Sequence, residues 1–233
     1  MNDAPPAQFQ LPLFPLQSVL FPGGWLPLRI FEVRYLDMIA RRLKAGEPFG
    51  VVCLSEGTEV RRPAASGGVA NATRPSGDAF AHEAFYPVGT LASIVQLERP
   101  QAGLIVVRCV GTQRFRILRS EQKKFGLWVA DVELIEADAA VPVPADLAFT
   151  RAALQGLVRD IETSLAQSSE PNAELPLRQP YRWDECGWLA NRWCELLPLP
   201  AAQKQNLMAL DSPVLRLELV ADTLRQIGFA LPE

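Results

Sequence analysis

The chain has 233 residues, of which 48 % are hydrophobic and 21 % are charged, and its net charge is −3 with a pI near 5.4. This composition argues against disorder, and the length suits one large or two modest domains. The acidic balance argues against a broad nucleic-acid surface, because phosphate binding needs clustered Lys and Arg.

Residues 11–35 are the most informative part of the sequence. The first run is apolar but contains Pro12 and Pro15, and each proline removes a backbone donor, so we expect an edge strand or an irregularly paired one. Pro22, Gly23 and Gly24 then predict a turn, and the alternation over residues 25–30 predicts a short, half-buried strand.

A helix is predicted for residues 31–44, because apolar residues recur there at helical spacing and Gly46 supplies a C-terminal stop. Glu32 falls in the first turn, where the helix dipole favours a carboxylate. We interpret Glu32 as a paired charge that pins the helix to the strands, with a recognition site as the alternative. The predicted structural keystones are Pro22, Gly23, Glu32, Arg34 and Tyr35.

The next part of the chain shows short strand patterns at spacings typical of a small barrel or sandwich. The predicted strands are residues 49–54, 85–97, 104–110, 114–118 and 127–135. The second and third of these form a hairpin, and residues 57–78 are predicted to be a long loop.

Helical patterns replace strand patterns after residue 137, and Pro142 and Pro144 mark a linker. Asp146 is the predicted cap of the first of four helices, and Ser212 with Pro213 opens the last one. Short links between helices are typical of a bundle. We therefore predict an α+β protein with a mostly antiparallel β part at 1–140 and a four-helix bundle at 145–233.

Several of these pieces, in this order, resemble the N-terminal substrate-binding domain of Lon proteases. The matching motifs are Leu-Pro-Leu-Phe-Pro-Leu at 11–16, Val-Leu-Phe-Pro-Gly at 19–23, Leu-Pro-Leu at 26–28, Ile-Phe-Glu at 30–32, Arg-Tyr at 34–35 and later runs at 49–52, 88–94 and 110–117. The resemblance implies a PUA-like β pseudo-barrel, related to RNA-binding barrels. It also implies a stand-alone polypeptide-binding module that lacks the ATPase and peptidase domains of full-length Lon.

The sequence offers no set of catalytic residues. Its single histidine, His82, has no second histidine at zinc-binding spacing and is interpreted as an incidental loop residue. Neither a Gly-x-Ser-x-Gly turn nor a phosphate-binding loop occurs. The four cysteines form no Cys-x-x-Cys pair and are predicted to be buried free thiols. We predict no enzymatic activity, no metal and no cofactor.

Aromatic residues near the predicted domain junction are the candidate polypeptide-binding residues. They are Trp25, Phe31, Tyr181 and Trp183. Exposed aromatics of this kind recognise apolar segments, although core packing is the favoured alternative for Tyr181 and Trp183. Trp188 and Trp193 are assigned to the core.

A basic run offers a competing interpretation of the strands. Arg108, Arg114, Arg116 and Arg119 precede Lys123 and Lys124, and this run would touch RNA if it lined one face. We favour a solvated strand face with alternating charge. A small-molecule enzyme in the interdomain cleft is the other alternative.

The predicted function is non-enzymatic binding of unfolded or extended polypeptide, in an adaptor or chaperone-like role in protein quality control. A protease or chaperone partner and weak homo-oligomers are further expectations, and nucleic acid is not the expected ligand. The N-terminus has no signal-peptide pattern and no apolar run reaches membrane-spanning length, so we expect a cytoplasmic protein without membrane contact.

Overall fold

The computed structural model describes residues 8–57, 83–167 and 175–229. In these ranges a mainly antiparallel sheet of seven strands is followed by four of the five α-helices. The strands are β1 (Gln8–Leu16), β2 (Trp25–Ile30), β3 (Phe49–Glu56), β4 (Ala84–Phe85), β5 (Val88–Gln101), β6 (Leu104–Gln122) and β7 (Trp128–Leu134). The helices are α1 (Val33–Ala45), α2 (Ala148–Gln167), α3 (Cys186–Leu196), α4 (Ala201–Ala209) and α5 (Pro213–Gln226).

The sheet closes on itself. Its strand order is β1-β7-β6-β5-β3-β4, and a parallel pairing of β1 with β3 joins the two sides, so that β1, β7, β6, β5 and β3 form a ring. β2 lies outside this ring and pairs with β6. The prediction of a mainly antiparallel sheet is confirmed.

The first part of β1 pairs with β7 and its second part pairs with β3, and each part contains one of the two prolines. Pro12 pairs with Val129 of β7, whereas Pro15 pairs with Val52 of β3. In an extended strand, the backbone nitrogens of two residues three positions apart point to opposite edges of the strand. Each proline nitrogen, which carries no hydrogen, can therefore face the edge that has no partner strand at that position. Irregular pairing was therefore the correct alternative, and a strand at the sheet edge was wrong.

Several predicted boundaries differ from the structure. The strand predicted at 85–97 is divided into β4 and β5, and β5 continues to Gln101. Helix α1 begins at Val33, and Glu32 is its N-cap in an extended conformation rather than a first-turn residue. Residues 114–118 are not a separate strand, because β6 continues through them to Gln122. Asp146 lies inside a short 3-10 turn that precedes α2, so it does not cap that helix.

The residues predicted to end α1 and to begin α5 are confirmed. Gly46 ends α1 with a left-handed φ of 67°, the conformation that glycine adopts at least cost. The Ser212 hydroxyl accepts the Leu215 N–H at 3.2 Å, and Pro213 occupies the first turn of α5.

The buried apolar residues form separate clusters, one between the sheet and α1 and another among the later helices. Tyr35, Met38 and Ile39 of α1 pack with strand residues in one cluster. Trp188 and Trp193 are buried in another cluster, which contains the α2 to α5 residues and also Phe21 and Val88 from the sheet side. The helical core therefore continues onto the sheet. All four cysteines are buried free thiols, as predicted.

A buried ion-pair network joins the sheet to the helices at Asp138. Its Oδ1 accepts Nη2 of Arg114 from β6 at 3.1 Å, and its Oδ2 accepts Nη1 of Arg216 from α5 at 2.5 Å. Arg114 also donates to the carbonyls of Met208 and Leu210 at the end of α4, at 2.9 and 2.7 Å. Burial and the nearby Arg216 cation lower the pKa of Arg114, whereas Asp138 raises it.

The assignment of Arg114 to a solvated strand face was therefore wrong, because the residue is only 4 % exposed.

The predicted division into a β subdomain at 1–140 and a helical subdomain at 145–233 remains a prediction. His82 and the predicted loop at 57–78 lie outside the described residues, apart from Gly57.

We expect Asp138→Ala to lower the free energy of unfolding by about 3–5 kcal/mol, because it leaves two buried guanidiniums without their shared carboxylate. Urea denaturation measures the change. Asp211→Ala is the matched control, since its carboxylate is 3.9 Å from Arg114 but 77 % exposed, and it should change stability by less than about 1 kcal/mol. Equal effects of the two substitutions would contradict the assigned role of Asp138.

Candidate functional site

A groove of about 580 Å³ lies between the outer face of the sheet and the end of α3. Its floor is formed by alternate residues of three adjacent strands, which share one face because side chains alternate along a strand. These residues are Trp25 and Pro27 of β2, Val106 and Arg108 of β6, and Gln96 and Glu98 of β5. The opposite wall consists of Leu175, Pro176, Glu195 and Leu196. We call this the Trp25 groove.

The register of the strands fixes the order of side chains on this floor. Pro27 lies opposite Arg108, and Arg108 lies opposite Gln96, so the three form one row across β2, β6 and β5. Val106 and Glu98 form part of the next row. The floor is therefore apolar on the β2 side and more polar on the β5 side.

Trp25 is half-buried and lies close to two cations. The Arg108 guanidinium is 4.1 Å from the centre of the indole ring, and that of Arg178 is 5.6 Å from it. Contacts of a guanidinium with an indole are favourable and hold both side chains in place. The groove thus presents an aromatic surface already fixed in position, flanked by positive charge.

The α3 wall is anchored by an ion pair that packs on the turn at residues 22–24. Arg192 is fully buried, and its Nη2 donates to the Pro22 carbonyl at 2.9 Å and to Oε1 of Glu195 at 2.7 Å. Burial raises the pKa of Glu195 to about 7, although Arg192 and Lys204 act in the opposite direction. The wall carboxyl therefore changes its charge near neutral pH.

The two glycines of this turn allow α3 to approach closely. A Cβ on Gly24 would lie 2.0 Å from Oε1 of Glu195, and one on Gly23 would lie 2.8 Å from Nη1 of Arg192. Gly23 also has a φ of 82° and donates its N–H to the Gly111 carbonyl of β6 at 2.8 Å. The turn is thus held between β6 and α3.

The four predicted binding aromatics do not form one surface. Trp25 lines the groove, whereas Phe31 is 55 % exposed just before α1 and lines none of the described cavities. Tyr181 and Trp183 are half-buried, with ring centroids 4.9 Å apart, and both pack against Trp188 and the helical core.

The predicted keystones fall into two groups. Pro22 and Gly23 lie in the turn against α3, and Glu32, Arg34 and Tyr35 lie at the start of α1. Arg34 is the buried member of the second group; its Nε donates to Glu32 at 2.9 Å, its Nη1 donates to the Gly126 carbonyl at 2.8 Å, and its guanidinium lies over the Tyr35 ring. Its Nη2 is 3.6 Å from Glu83, which also accepts Trp128 Nε1 at 2.6 Å.

Sequence reasoning missed the charged residues at the groove and behind its α3 wall. Arg108 was grouped with the basic run, and neither Arg192 nor Glu195 was singled out. The i, i+3 spacing of Arg192 and Glu195 on a helix indicates an ion pair, but their burial depends on the turn 170 residues earlier.

The described residues contain no group of three or more His, Cys, Asp or Glu side chains placed to hold a metal ion. No helix in the same ranges is both long and apolar enough to cross a membrane. The described lining of the Trp25 groove has no Ser, Thr, Cys or His, and its two carboxyl groups are those of Glu98 and Glu195.

The closed sheet and the helical part meet at the Trp25 groove. The chain belongs to the ATP-dependent protease La (LON) substrate-binding domain family, whose model matches residues 10–226. This match confirms the resemblance inferred from the sequence motifs. No curated protein matches the chain significantly.

Two solved structures are similar to the chain over almost its whole length. A Lon N-terminal domain protein from Xanthomonas campestris is 28 % identical with a TM-score of 0.65, and the match covers 92 % of this chain and 98 % of that one. The N-terminal domain of a Mycobacterium avium complex Lon protease is 16 % identical with a TM-score of 0.53, over 92 % and 97 %. The second likeness concerns the fold alone.

The raised pKa of Glu195 predicts a pH-dependent stability. The folded state binds this proton more tightly than the unfolded chain, where the carboxyl has its ordinary pKa of 4.5, so the contribution of Glu195 to stability falls as pH rises from about 4.5 to about 7. We expect Glu195→Gln to gain on the order of 1–3 kcal/mol relative to the unsubstituted protein between pH 5 and pH 8. Urea denaturation at both pH values measures this difference. A constant difference between the two proteins across this range would show that Glu195 is ionised throughout.

Proposed function

We propose that the protein binds extended, partly apolar polypeptide segments in the Trp25 groove and catalyses no reaction. The observation that carries this proposal is the aromatic floor at the junction, where Trp25 is fixed beneath Arg108 and next to Arg178. Membership of a substrate-binding domain family supports the same function. The described groove lining has no Ser, Thr, Cys or His, and its Glu195 carboxylate is held in an ion pair with Arg192, which supports binding without chemistry.

The groove suits a peptide chain because it combines an apolar surface with a hydrogen-bonding one. Trp25, Pro27 and Val106 offer apolar area, whose burial contributes about 25 cal/mol per Å². Gln96 and Glu98 lie beside them and can exchange hydrogen bonds with a peptide backbone. A flexible peptide loses conformational entropy on docking, so we expect a dissociation constant of roughly micromolar order.

The structure favours this function over RNA binding. Arg114 is buried against Asp138 and the end of α4, and Arg108 lies on Trp25, so the basic run of β6 does not form one continuous surface. Sequence-independent RNA binding depends on such a surface.

Finer features of the role belong to the same proposal. We propose a pseudo-barrel subdomain of PUA-like type at 1–140 and a helical bundle subdomain at 145–233. An adaptor or chaperone-like role in the cytoplasm, with a protease or chaperone as partner and weak self-association, is consistent with polypeptide binding. Titration of the purified protein with a candidate protease tests that partner directly.

Anisotropy of a fluorescein-labelled, denatured model protein tests the binding site. We expect Trp25→Ala to weaken binding about tenfold or more, because truncating a central aromatic anchor costs over 1 kcal/mol. Phe31→Ala is the matched control, since it removes another accessible aromatic outside the groove, and it should leave the affinity unchanged.

Salt dependence separates the two classes of ligand. Binding that rests on apolar burial persists at 0.5 M salt, whereas RNA binding weakens steeply there. Tight, salt-sensitive binding of RNA without any response to the denatured protein would refute the proposed function.

A further inference from the structure

The turn between β6 and β7 displays an aromatic side chain in a strained backbone conformation. Phe125 has φ 64° and ψ 8°, and it is the only non-glycine residue with a positive φ among the described residues. It is also 87 % exposed. A non-glycine residue in this region is disfavoured, and burial of the side chain does not compensate for the strain here.

The surrounding structure holds this turn in place. The Gly126 N–H donates to the Lys123 carbonyl at 3.0 Å, and the Lys123 N–H donates to the Leu127 carbonyl at 2.8 Å. The Gly126 carbonyl accepts Nη1 of the buried Arg34 at 2.8 Å. Strain that is fixed by a buried cation, at an exposed aromatic residue, points to a function of the side chain.

A second groove, of about 500 Å³, lies beside Phe125 between α1 and strands β1 and β7. We call it the Phe125 groove. Its apolar lining comprises Pro12, Met38, Ala45, Leu127 and Val129. It shares no lining residue with the Trp25 groove.

The rim of the Phe125 groove carries free positive charge. Arg42 and Lys123 have carboxylate partners, Glu47 and Glu121 respectively. Arg41 and Lys124 also line the groove, and within the described part of the chain neither has a hydrogen-bond or ion-pair partner. Asp37 is a further lining charge.

We propose that the Phe125 groove docks an acidic segment of a partner polypeptide that also carries an apolar side chain. The carboxylates of the segment pair with Arg41 and Lys124, and its apolar side chain lies between Phe125 and the floor at Met38 and Leu127. Charge complementarity selects this occupant, because two of the three lining charges without a described partner, those of Arg41 and Lys124, are positive, and Asp37 is the third. The strained turn keeps Phe125 fixed, which reduces the entropy lost on docking.

The test uses a fluorescein-labelled dodecapeptide of Glu, Asp and Ser with two central Phe residues. Phe125→Gly should weaken its binding about tenfold, while the melting temperature stays the same or rises by about 2–4 °C because glycine accepts the left-handed backbone. Phe125→Asn is a second variant that tolerates this backbone. Arg41→Glu with Lys124→Glu should also weaken binding at least about tenfold, and Trp25→Ala should weaken it less than either of these changes.

Control ligands and a measurement of self-association test whether the Phe125 groove instead binds a basic peptide, RNA or a second copy of the chain. The same peptide with Lys in place of Glu and Asp, and a poly-uridine RNA, should bind at least about tenfold more weakly. Equal binding of either control ligand, or unchanged peptide binding in all Phe125 and rim variants, would overturn the proposal. So would sedimentation that shows a dimer abolished by Phe125→Gly, since the occupant would then be a second copy of the chain. Because Trp25→Ala reports on the other groove, each proposal can fail separately.

Discussion

The structure depends on one carboxylate that is shared by two buried guanidiniums. Asp138 receives Arg114 from the sheet and Arg216 from α5, and the other guanidinium donors reach carbonyls at the end of α4, where a helix leaves acceptors unsatisfied. Removing two cations from water is costly, and the cost is offset only when each donor finds an acceptor. The arrangement therefore fixes the position of α4 and α5 relative to β6. Gly187 contributes by its size, since a Cβ there would lie 2.6 Å from Oδ2 of Asp138.

The Trp25 groove follows from this constraint. Its floor belongs to the sheet and its wall belongs to α3, so its width is set by how the helical part is held. Arg192 provides the second fixed point, because it ties α3 to the Pro22 carbonyl while Gly23 and Gly24 allow the close approach. Both anchors use arginine, whose planar fork of donors can satisfy several acceptors from one buried position. Polar contacts thus set the width of the Trp25 groove, and its apolar residues provide the surface that a ligand would bury.

Features with local causes could be predicted from the sequence, and features with distant causes could not. Gly46, Ser212 and Pro213 act within a few residues of their own position, so helix ends were correctly inferred from them. Arg114 looks like any charged residue in an alternating strand, and only Asp138, 24 residues later, explains its burial. Trp25 was predicted from its chemistry, but Glu195 required knowledge that α3 packs on the first turn. At Phe125 no local signal was available, because an aromatic residue is not expected in the left-handed conformation that it shares with Gly126, whose φ is 80°.

The many pairings of β6 limit the local unfolding of the sheet. Its 19 residues pair with β2, β5 and β7, and Arg114 near its middle binds the end of α4. Residues 106–110 of β6 cannot leave the sheet without breaking ladders on both edges, and Arg114 cannot leave without exposing a buried cation, whereas residues 119–122 pair with β7 alone. The amide hydrogens of residues 106–110 are therefore released to solvent only in the globally unfolded state, so their exchange rates report the stability of the whole protein, whereas those of residues 119–122 report local opening.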